Sequence, residues 1–384
     1  MTYRELLNLY KRGELDEKTA AEVRAAIERQ EAIGDYLYEE GEILPLEEDG
    51  GEALPPAGED PELVRLIRKA IRKAFFKLGL TVCAVVLAAA LLAVFVLPHV
   101  VDAFYYDPTE VVGVSPEGAM ETNRLQLDLA VWTEAFVPGG FRDQVNVYPR
   151  GYGRYDMTIL QTTHMAGTGT TSLGGSLTRN RLTLFDPNVL RRPVGNAFVL
   201  PGGEDQGTFA SREYSFAAVD RLEEGAYYQG FVSLSEIMGY EDFLHWYEGL
   251  ELEDWELWCA VYNGSESHYP GPLVGFYPYH GGIVMNWDRE TYPRLVTVGE
   301  DWDAMETEPA AREHVTSMLH YLLDHPEFGE MMGHGLSPWD GDQLLTAIET
   351  DGLRLYGFSI IGQKETFAQL RDDPHVNYLY TVPA

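Results

Sequence analysis

Residues 78–101 read LGLTVCAVVLAAALLAVFVLPHVV and contain no Asp, Glu, Lys or Arg. A helix of this length rises about 36 Å, more than the roughly 30 Å thickness of the hydrocarbon core of a bilayer. A soluble protein rarely buries so long a helix without a single charge. The stretch therefore predicts one membrane-spanning helix. This helix divides the chain into a region before the span and a region after it.

The charges beside this segment predict its direction. Positive charge favours the cytoplasmic side of a span, so the N-terminus is expected inside the cell and residues 111–384 outside. The span starts far from residue 1, which is typical of a retained signal anchor rather than a cleaved signal peptide. The flanking residues are Arg65, Arg68, Lys69, Arg72, Lys73 and Lys77 before the span, then Asp102, Phe104, Tyr105, Tyr106, Asp107 and Glu110 after it.

The charge of the chain is concentrated after the span. The net charge is −33, and residues 102–384 hold 16 Lys and Arg against 43 Asp and Glu, a balance of −27. Because such an acidic surface repels the phosphate backbone of nucleic acids, no nucleic-acid partner is expected for this part of the chain. The two cysteines, Cys83 in the span and Cys259 far downstream, are not expected to form a disulfide.

The region before the span divides into three parts. Residues 1–35 predict a helical hairpin, with Gly13 ending the first helix and Asp16 capping the second. Such a hairpin is too small to bury a core of its own, so its apolar stripe needs a partner. Residues 36–60 are acidic and rich in Gly and Pro, which predicts a disordered linker. Residues 61–77 predict a basic amphipathic helix that leads into the span at 78–101.

Residues 111–384 predict an α+β domain, a mixed sheet with βαβ-like units and helices on one face. The first unit is Tyr227–Tyr262, with a helix that starts at Ser233 or Ser235, and the second covers Arg354–Val382. Two earlier stretches alternate between apolar and polar residues as strands do, and two later stretches have helical periodicity. These stretches are Leu125–Phe136 and Val145–Thr158 for the strands, and Ala310–Leu323 and Gln343–Glu349 for the helices.

No catalytic, cofactor or metal site is predicted. His314 and His320 are six residues apart and lie on different faces of a helix. The Gly-rich run 167–176 lacks the Gly-Lys-Ser/Thr of a phosphate loop, and no nucleophile motif occurs. Cys259 is expected in the core. The many acidic pairs are expected by chance in a domain of this charge, so the protein is not predicted to be an enzyme.

Residues 6–28, LLNLYKRGELDEKTAAEVRAAIE, resemble the N-terminal segment of membrane-bound anti-sigma factors that control extracytoplasmic-function sigma factors. Residues 227–277 and 356–382 resemble the C-terminal domain of the same regulators. Many members of that class carry a His-x3-Cys-x2-Cys zinc signature, but this chain has no His or Cys before Cys83. The resemblance is therefore to the zinc-free Firmicute type.

The resemblance implies that the hairpin sequesters an extracytoplasmic-function sigma factor while the external domain responds to an envelope signal. Release would follow a conformational change or cleavage by an intramembrane or membrane-proximal protease, and the lipid bilayer is a further partner. The alternative is a membrane-anchored extracellular binding module or hydrolase whose N-terminus is only an anchor. The residues expected to contact the sigma factor, some of which could instead close the hairpin on itself, are Leu6, Leu7, Tyr10, Leu15, Val23 and Ile27.

Overall fold

A computed structural model of the chain describes residues 10, 12–13, 15–39, 61–115, 120–139, 141–162, 171–185, 197–201, 212–265, 271–279, 286–296 and 303–384. The chain divides into two compact units, Met1–Cys83 and Ala84–Ala384. Each unit is described by itself below.

The first unit contains helix α1, Glu17–Glu39. The helix continues past Gly34, so the prediction that the hairpin ends near residue 35 is wrong. One internal glycine costs a helix only about 1 kcal/mol, and the residues after Gly34 are compatible with a helix. The predicted linker at 36–60 begins inside α1, and its part from residue 40 onward lies outside the described residues.

The candidate membrane helix begins as α2, Pro61–Leu91, which continues through a π-helical turn at Leu92–Val96 into α3, Leu97–Asp102. Within the described residues, the stretch Arg68–Asp102 is the one helix long and apolar enough to cross a bilayer, judged by length and composition. This candidate span contains the predicted segment 78–101.

The second unit adds eleven strands and seven helices among the described residues. The strands are β1 Val111–Val114, β2 Glu121–Asn123, β3 Phe141–Pro149, β4 Arg154–Thr162, β5 Thr171–Thr178, β6 Arg181–Leu184, β7 Tyr228–Gly239, β8 Asp254–Val261, β9 Gly275–Phe276, β10 Arg354–Gly362 and β11 Val376–Pro383. The helices are α4 Arg124–Phe136, α5 Arg212–Val219, α6 Tyr240–Glu248, α7 Glu308–Asp324, α8 Pro326–Met332, α9 Pro338–Asp351 and α10 Lys364–Gln369.

The largest sheet has the strand order β11-β7-β10-β8-β9, and every neighbouring pair is antiparallel. Helix α6 joins β7 to β8, which run parallel with β10 between them. Helix α10 joins β10 to β11, which run parallel with β7 between them. Two interleaved units of this kind form a ferredoxin-like arrangement, here with β9 and helices α7 to α9 inserted before β10. The predicted α+β class and its βαβ-like units are confirmed, but neighbouring strands are antiparallel rather than mixed.

Helices α6 and α10 cover one face of this sheet. Phe243 of α6 packs on Phe358 of β10 with ring centroids 5.5 Å apart. Phe367 of α10 occupies the space above Gly230, where an added Cβ would lie 2.2 Å from the ring. The opposite face carries a second buried cluster, whose members are Ala197, Phe198, Leu200, Phe231, Trp258, Ala260, Tyr277 and Tyr356.

The first predicted βαβ unit has a longer strand than the sequence suggests. Strand β7 runs to Gly239, so the prediction of a helix start at Ser233 or Ser235 is wrong. Each serine hydroxyl serves a neighbouring segment instead. Ser233 Oγ accepts the Val199 N–H at 2.9 Å, and Ser235 Oγ donates to the Pro374 carbonyl at 2.8 Å.

A second sheet, in the order β3-β4-β5-β6, is also antiparallel. The stretch Val145–Thr158 is extended as predicted, but it is not one strand, because a turn at residues 150–153 divides it between β3 and β4. The prediction of a strand at Leu125–Phe136 is wrong, because this stretch forms α4. Eleven of the thirteen residues of α4 are buried, so it lacks the one-sided pattern by which a surface helix is recognised. Its N-cap is Asn123, whose side chain accepts the Gln126 N–H at 2.9 Å.

Candidate functional site

The turn before α1 has the caps that the sequence predicts. Gly13 has a φ of +69°, and its N–H donates to the Tyr10 carbonyl at 3.1 Å. Asp16 accepts the N–H and the hydroxyl of Thr19 at 2.7 and 3.0 Å. The bond from the Thr19 hydroxyl and then that from its N–H lower the pKa of Asp16. Asp16 is therefore held as a carboxylate where the helix exposes its free N–H groups.

Two of the residues expected to contact a partner, Leu6 and Leu7, lie outside the described residues. Tyr10 is half-buried, and its hydroxyl accepts the Nε–H of Arg24 at 3.2 Å. This bond joins the segment before Gly13 to the second turn of α1, so part of Tyr10 is used within the hairpin.

The other three expected contacts differ in the surface that they leave free. Val23 is only 3% exposed, whereas Leu15 and Ile27 are half-buried. Val23 and Ile27 are four residues apart and lie on the same face of α1. A partner can therefore reach Leu15 and Ile27 directly, but it can reach Val23 only by opening the present packing.

The second unit contains a buried carboxylate that joins the segment just after the span to α7. Asp128 of α4 is 2% exposed and accepts the hydroxyls of Tyr106 at 2.5 Å and Tyr321 at 2.6 Å. The Nε of Arg124 lies 3.7 Å from the same carboxylate. Burial first, and then the nearby Asp128 charge, raise the pKa of both phenols, so they stay protonated and act as donors.

A second buried carboxylate lies two turns further along α4. Glu134 Oε1 lies 2.9 Å from Nε2 of His314 in α7, and it accepts the Tyr277 N–H at 3.3 Å. The Glu134 carbonyl accepts the indole N–H of Trp258 at 2.7 Å. His314 is fully buried, and its Nδ1 lies 2.6 Å from the Arg294 carbonyl. The two carboxylates and the side chains around them form the α4 junction, defined as Tyr106, Asp128, Glu134, Trp258, Tyr277, His314 and Tyr321.

Sequence reasoning missed the α4 junction because the stretch was interpreted as a strand. A signal was present, since Asp128 and Glu134 interrupt the otherwise apolar run LQLDLAVWTEAF. A carboxylate in such a run is either on a solvent-exposed face or buried with partners. The identity of those partners, Tyr321 and His314, depends on contacts across more than 175 residues of chain.

The α4 junction joins elements of the fold through side chains that are buried. Within the described ranges, no three His, Cys, Asp or Glu side chains are placed to hold a metal ion. Cys259 is fully buried, as predicted, and burial raises the pKa of its thiol far above the usual range. A thiol of this kind stays protonated and is a poor nucleophile.

The charge state of Asp128 predicts a pH dependence. Burial raises the pKa of Asp128 above its ordinary value of 3.8, despite the opposing bonds from Tyr106 and Tyr321 and the charge of Arg124. The folded chain thus keeps this proton to a higher pH than the unfolded chain. Between those two pKa values the free energy of unfolding is expected to fall as the pH rises. Denaturant titrations between pH 4 and 7 should show that the free energy of unfolding falls less with rising pH for the Asp128→Asn variant than for the wild type. Equal pH dependence in the two proteins would contradict the prediction.

Part of the chain matches a known protein family. Residues 219–380 match the sigma factor regulator C-terminal family. The match confirms the resemblance predicted for this part of the chain and supports a regulatory role rather than an enzymatic one. No curated protein and no solved structure matches the chain.

The matched segment, called the regulator domain below, is smaller than the structural unit around it. It contains the ferredoxin-like sheet and helices α6 to α10, apart from the last residues of β11. Helix α4 lies outside it, yet Asp128 and Glu134 bind side chains of α7 inside it. The α4 junction therefore ties the segment after the span to the regulator domain.

Proposed function

We propose that this protein is a single-pass membrane anti-sigma factor of the zinc-free type. Its N-terminal helices sequester an extracytoplasmic-function sigma factor, and its C-terminal unit responds to an envelope signal. The observation that carries the proposal is the match of residues 219–380 to the sigma factor regulator C-terminal family. The candidate span at Arg68–Asp102 supports a membrane location.

The proposal includes an orientation with the N-terminus in the cytoplasm. Six basic residues lie between positions 65 and 77, and three acidic residues follow the span within ten positions. This asymmetry favours the basic end on the cytoplasmic side. A sigma factor acts in the cytoplasm, so the proposed binding segment and its partner are then on the same side of the membrane.

The α4 junction offers a route by which the C-terminal unit acts on the span. Tyr106 lies four residues after Asp102, the last residue of α3, and its hydroxyl is bound to Asp128. Asp128 in turn binds Tyr321 of the regulator domain. A signal that shifts α7 would change the packing of the segment that leaves the membrane. This conformational change would release the sigma factor directly. Alternatively, it would expose a site near the membrane to a protease, and cleavage there would release the sigma factor.

The partner surface is expected to centre on Ile27 and Leu15, because these side chains keep exposed area on the hairpin. The Ile27→Asp variant of the full chain should lose at least roughly 30-fold in affinity for the sigma factor, the effect of one hot-spot residue worth about 2 kcal/mol. The measurement is co-purification of the source organism's sigma factors with the tagged full chain after cross-linking in living cells. Transcription from the captured factor's promoters should rise in the variant.

The matched control is Ala25→Asp, which adds the same charge to the same helix. Ala25 is exposed and lies two residues from Ile27, about 200° away around the helix axis. The Ala25→Asp variant should capture as much sigma factor as the wild type does. If the wild-type chain captures no sigma factor in cells, the proposed function or its orientation is wrong. If both variants lose the factor equally, the proposed surface is wrong.

A further inference from the structure

The candidate span contains a backbone carbonyl that the helix itself does not satisfy. The π-helical turn at Leu92–Val96 directs the Leu97 N–H to the Leu92 carbonyl instead of the Ala93 carbonyl. In a π-helical pattern the Ala93 carbonyl would accept the N–H of residue 98, but Pro98 has no N–H. An unpaired carbonyl in the hydrocarbon region costs several kcal/mol, so a donor from elsewhere is required.

The donor is Tyr152, in the turn between β3 and β4. Its hydroxyl donates a short hydrogen bond to the Ala93 carbonyl. Tyr152 has a φ of +61° between Gly151 at +75° and Gly153 at +69°. A left-handed conformation is uncommon for a tyrosine and is retained where surrounding contacts require it. The turn is therefore shaped to present this phenol to the span.

Further contacts hold two turns of the second sheet at the C-terminal end of the span. A Cβ added at Gly151 would lie 3.3 Å from Cβ of Pro98, and the Gly153 N–H donates to the Asp102 carboxylate. The turn between β5 and β6 lies beside the first, because the Arg179 N–H donates to the Gly153 carbonyl at 2.7 Å. In the same turn, the side-chain oxygen of Asn180 accepts the Tyr106 N–H at 2.8 Å.

The length of the span places these turns at the depth of lipid headgroups. Leu78 follows the last basic residue, Lys77, and a helix of about 20 residues from there reaches Leu97 and crosses a core of about 30 Å. The hydrocarbon region then ends near Pro98, which packs against Gly151. Tyrosine is enriched at this boundary, where its ring is apolar and its hydroxyl is polar.

The same turns carry an unusual share of positive charge. Four of the 16 basic residues of the strongly acidic segment 102–384 lie in or beside them, and all four are exposed. One is paired, since Arg150 Nε lies 2.7 Å from Asp156. Among the described residues, Asp102, Asp107 and Asp156 lie close to these turns, so four basic residues stand against three acidic ones in a segment of charge −27. The four basic residues are Arg150, Arg154, Arg179 and Arg181.

We propose that the β3–β4 and β5–β6 turns form a binding surface for the phosphate groups of anionic lipids at the C-terminal end of the span. Tyr152 anchors the surface to the helix, and the arginines face the headgroup layer. Basic side chains near an anionic bilayer are attracted to it, and guanidinium groups match the geometry of phosphate. The surface rests on the membrane span of the proposed function, but it goes beyond that function, since it involves neither the hairpin nor a sigma factor.

The test compares the full chain in lipid nanodiscs of phosphatidylglycerol and of phosphatidylcholine. Hydrogen exchange of the amides at residues 150–154 and 178–181 should be slower in phosphatidylglycerol, by about fivefold for each arginine engaged. The Arg179→Gln, Arg181→Gln double variant should lose most of this difference. Equal exchange of the wild type in the two lipids would overturn the proposal, and this comparison needs no variant to fold.

The control removes two equally exposed arginines elsewhere in the unit. Arg221→Gln with Arg289→Gln makes the same change in net charge, and both positions are exposed and lie outside the two turns. This variant should keep the lipid dependence of the wild type at the turn amides. If it loses that dependence as fully as the double variant at Arg179 and Arg181, the effect is one of overall charge and the proposed surface is wrong.

Discussion

The Asp128→Ala variant is expected to unfold with a free energy about 3–5 kcal/mol below that of the wild type, the range found when one member of a buried charged pair is removed. The carboxylate accepts the hydroxyls of Tyr106 and Tyr321 and lies 3.7 Å from Nε of Arg124. Its removal leaves two buried phenols without their acceptor, and each unpaired buried group costs about 1–3 kcal/mol. The measurement is denaturant unfolding of the full chain in detergent micelles, followed by tryptophan fluorescence.

Two other variants separate this effect from a general loss of charge. Glu349→Ala removes an exposed carboxylate from α9 and should change the free energy of unfolding by no more than about 0.5 kcal/mol. Asp128→Asn keeps an oxygen acceptor and should cost less than Asp128→Ala. An Asp128→Ala protein as stable as the Glu349→Ala protein would show that the α4 junction contributes little to the fold.

The features that the sequence predicts well are local ones. The span follows from 24 consecutive residues without a charge, and the caps at Gly13 and Asp16 follow from residues within four positions of one another. The sequence likewise predicts helix α7 to within two residues, because its pattern is long and regular.

The features that it predicts poorly depend on contacts between distant segments. Strand β10 lies between β7 and β8, although it follows β8 by more than ninety residues, and no periodicity within a strand encodes its neighbours. Helix α4 is buried on nearly all sides, so the packing of other elements removes the pattern that would identify it. The bond from Tyr152 to the Ala93 carbonyl arises from a π-helical turn that the sequence marks only by Pro98.

The α4 junction leads to a prediction about the boundary of the regulator domain. A chain that begins at Arg212 and ends at Ala384 contains the whole matched segment, yet it is expected not to fold. Five large apolar side chains of α4 are buried, and burial of each contributes about 1.5–3 kcal/mol. Their loss removes roughly 8–15 kcal/mol, which is as large as the whole free energy of unfolding of a typical domain, about 5–15 kcal/mol. The five side chains are Leu125, Leu129, Val131, Trp132 and Phe136.

The comparison chain for this prediction covers residues 102–384, which retain α4 and both of its carboxylates. In that chain Glu134 still accepts the Tyr277 N–H and lies beside His314, whereas the shorter chain leaves Tyr277, His314 and the indole N–H of Trp258 without these partners. Thermal unfolding followed by near-ultraviolet circular dichroism should give a cooperative transition for the longer chain and none for the shorter one. A cooperative transition for residues 212–384 at the same temperature would mean that the regulator domain is complete within its matched segment. In that case α4 would be an accessory element, and the route proposed from the span through Asp128 to α7 would lose its structural basis.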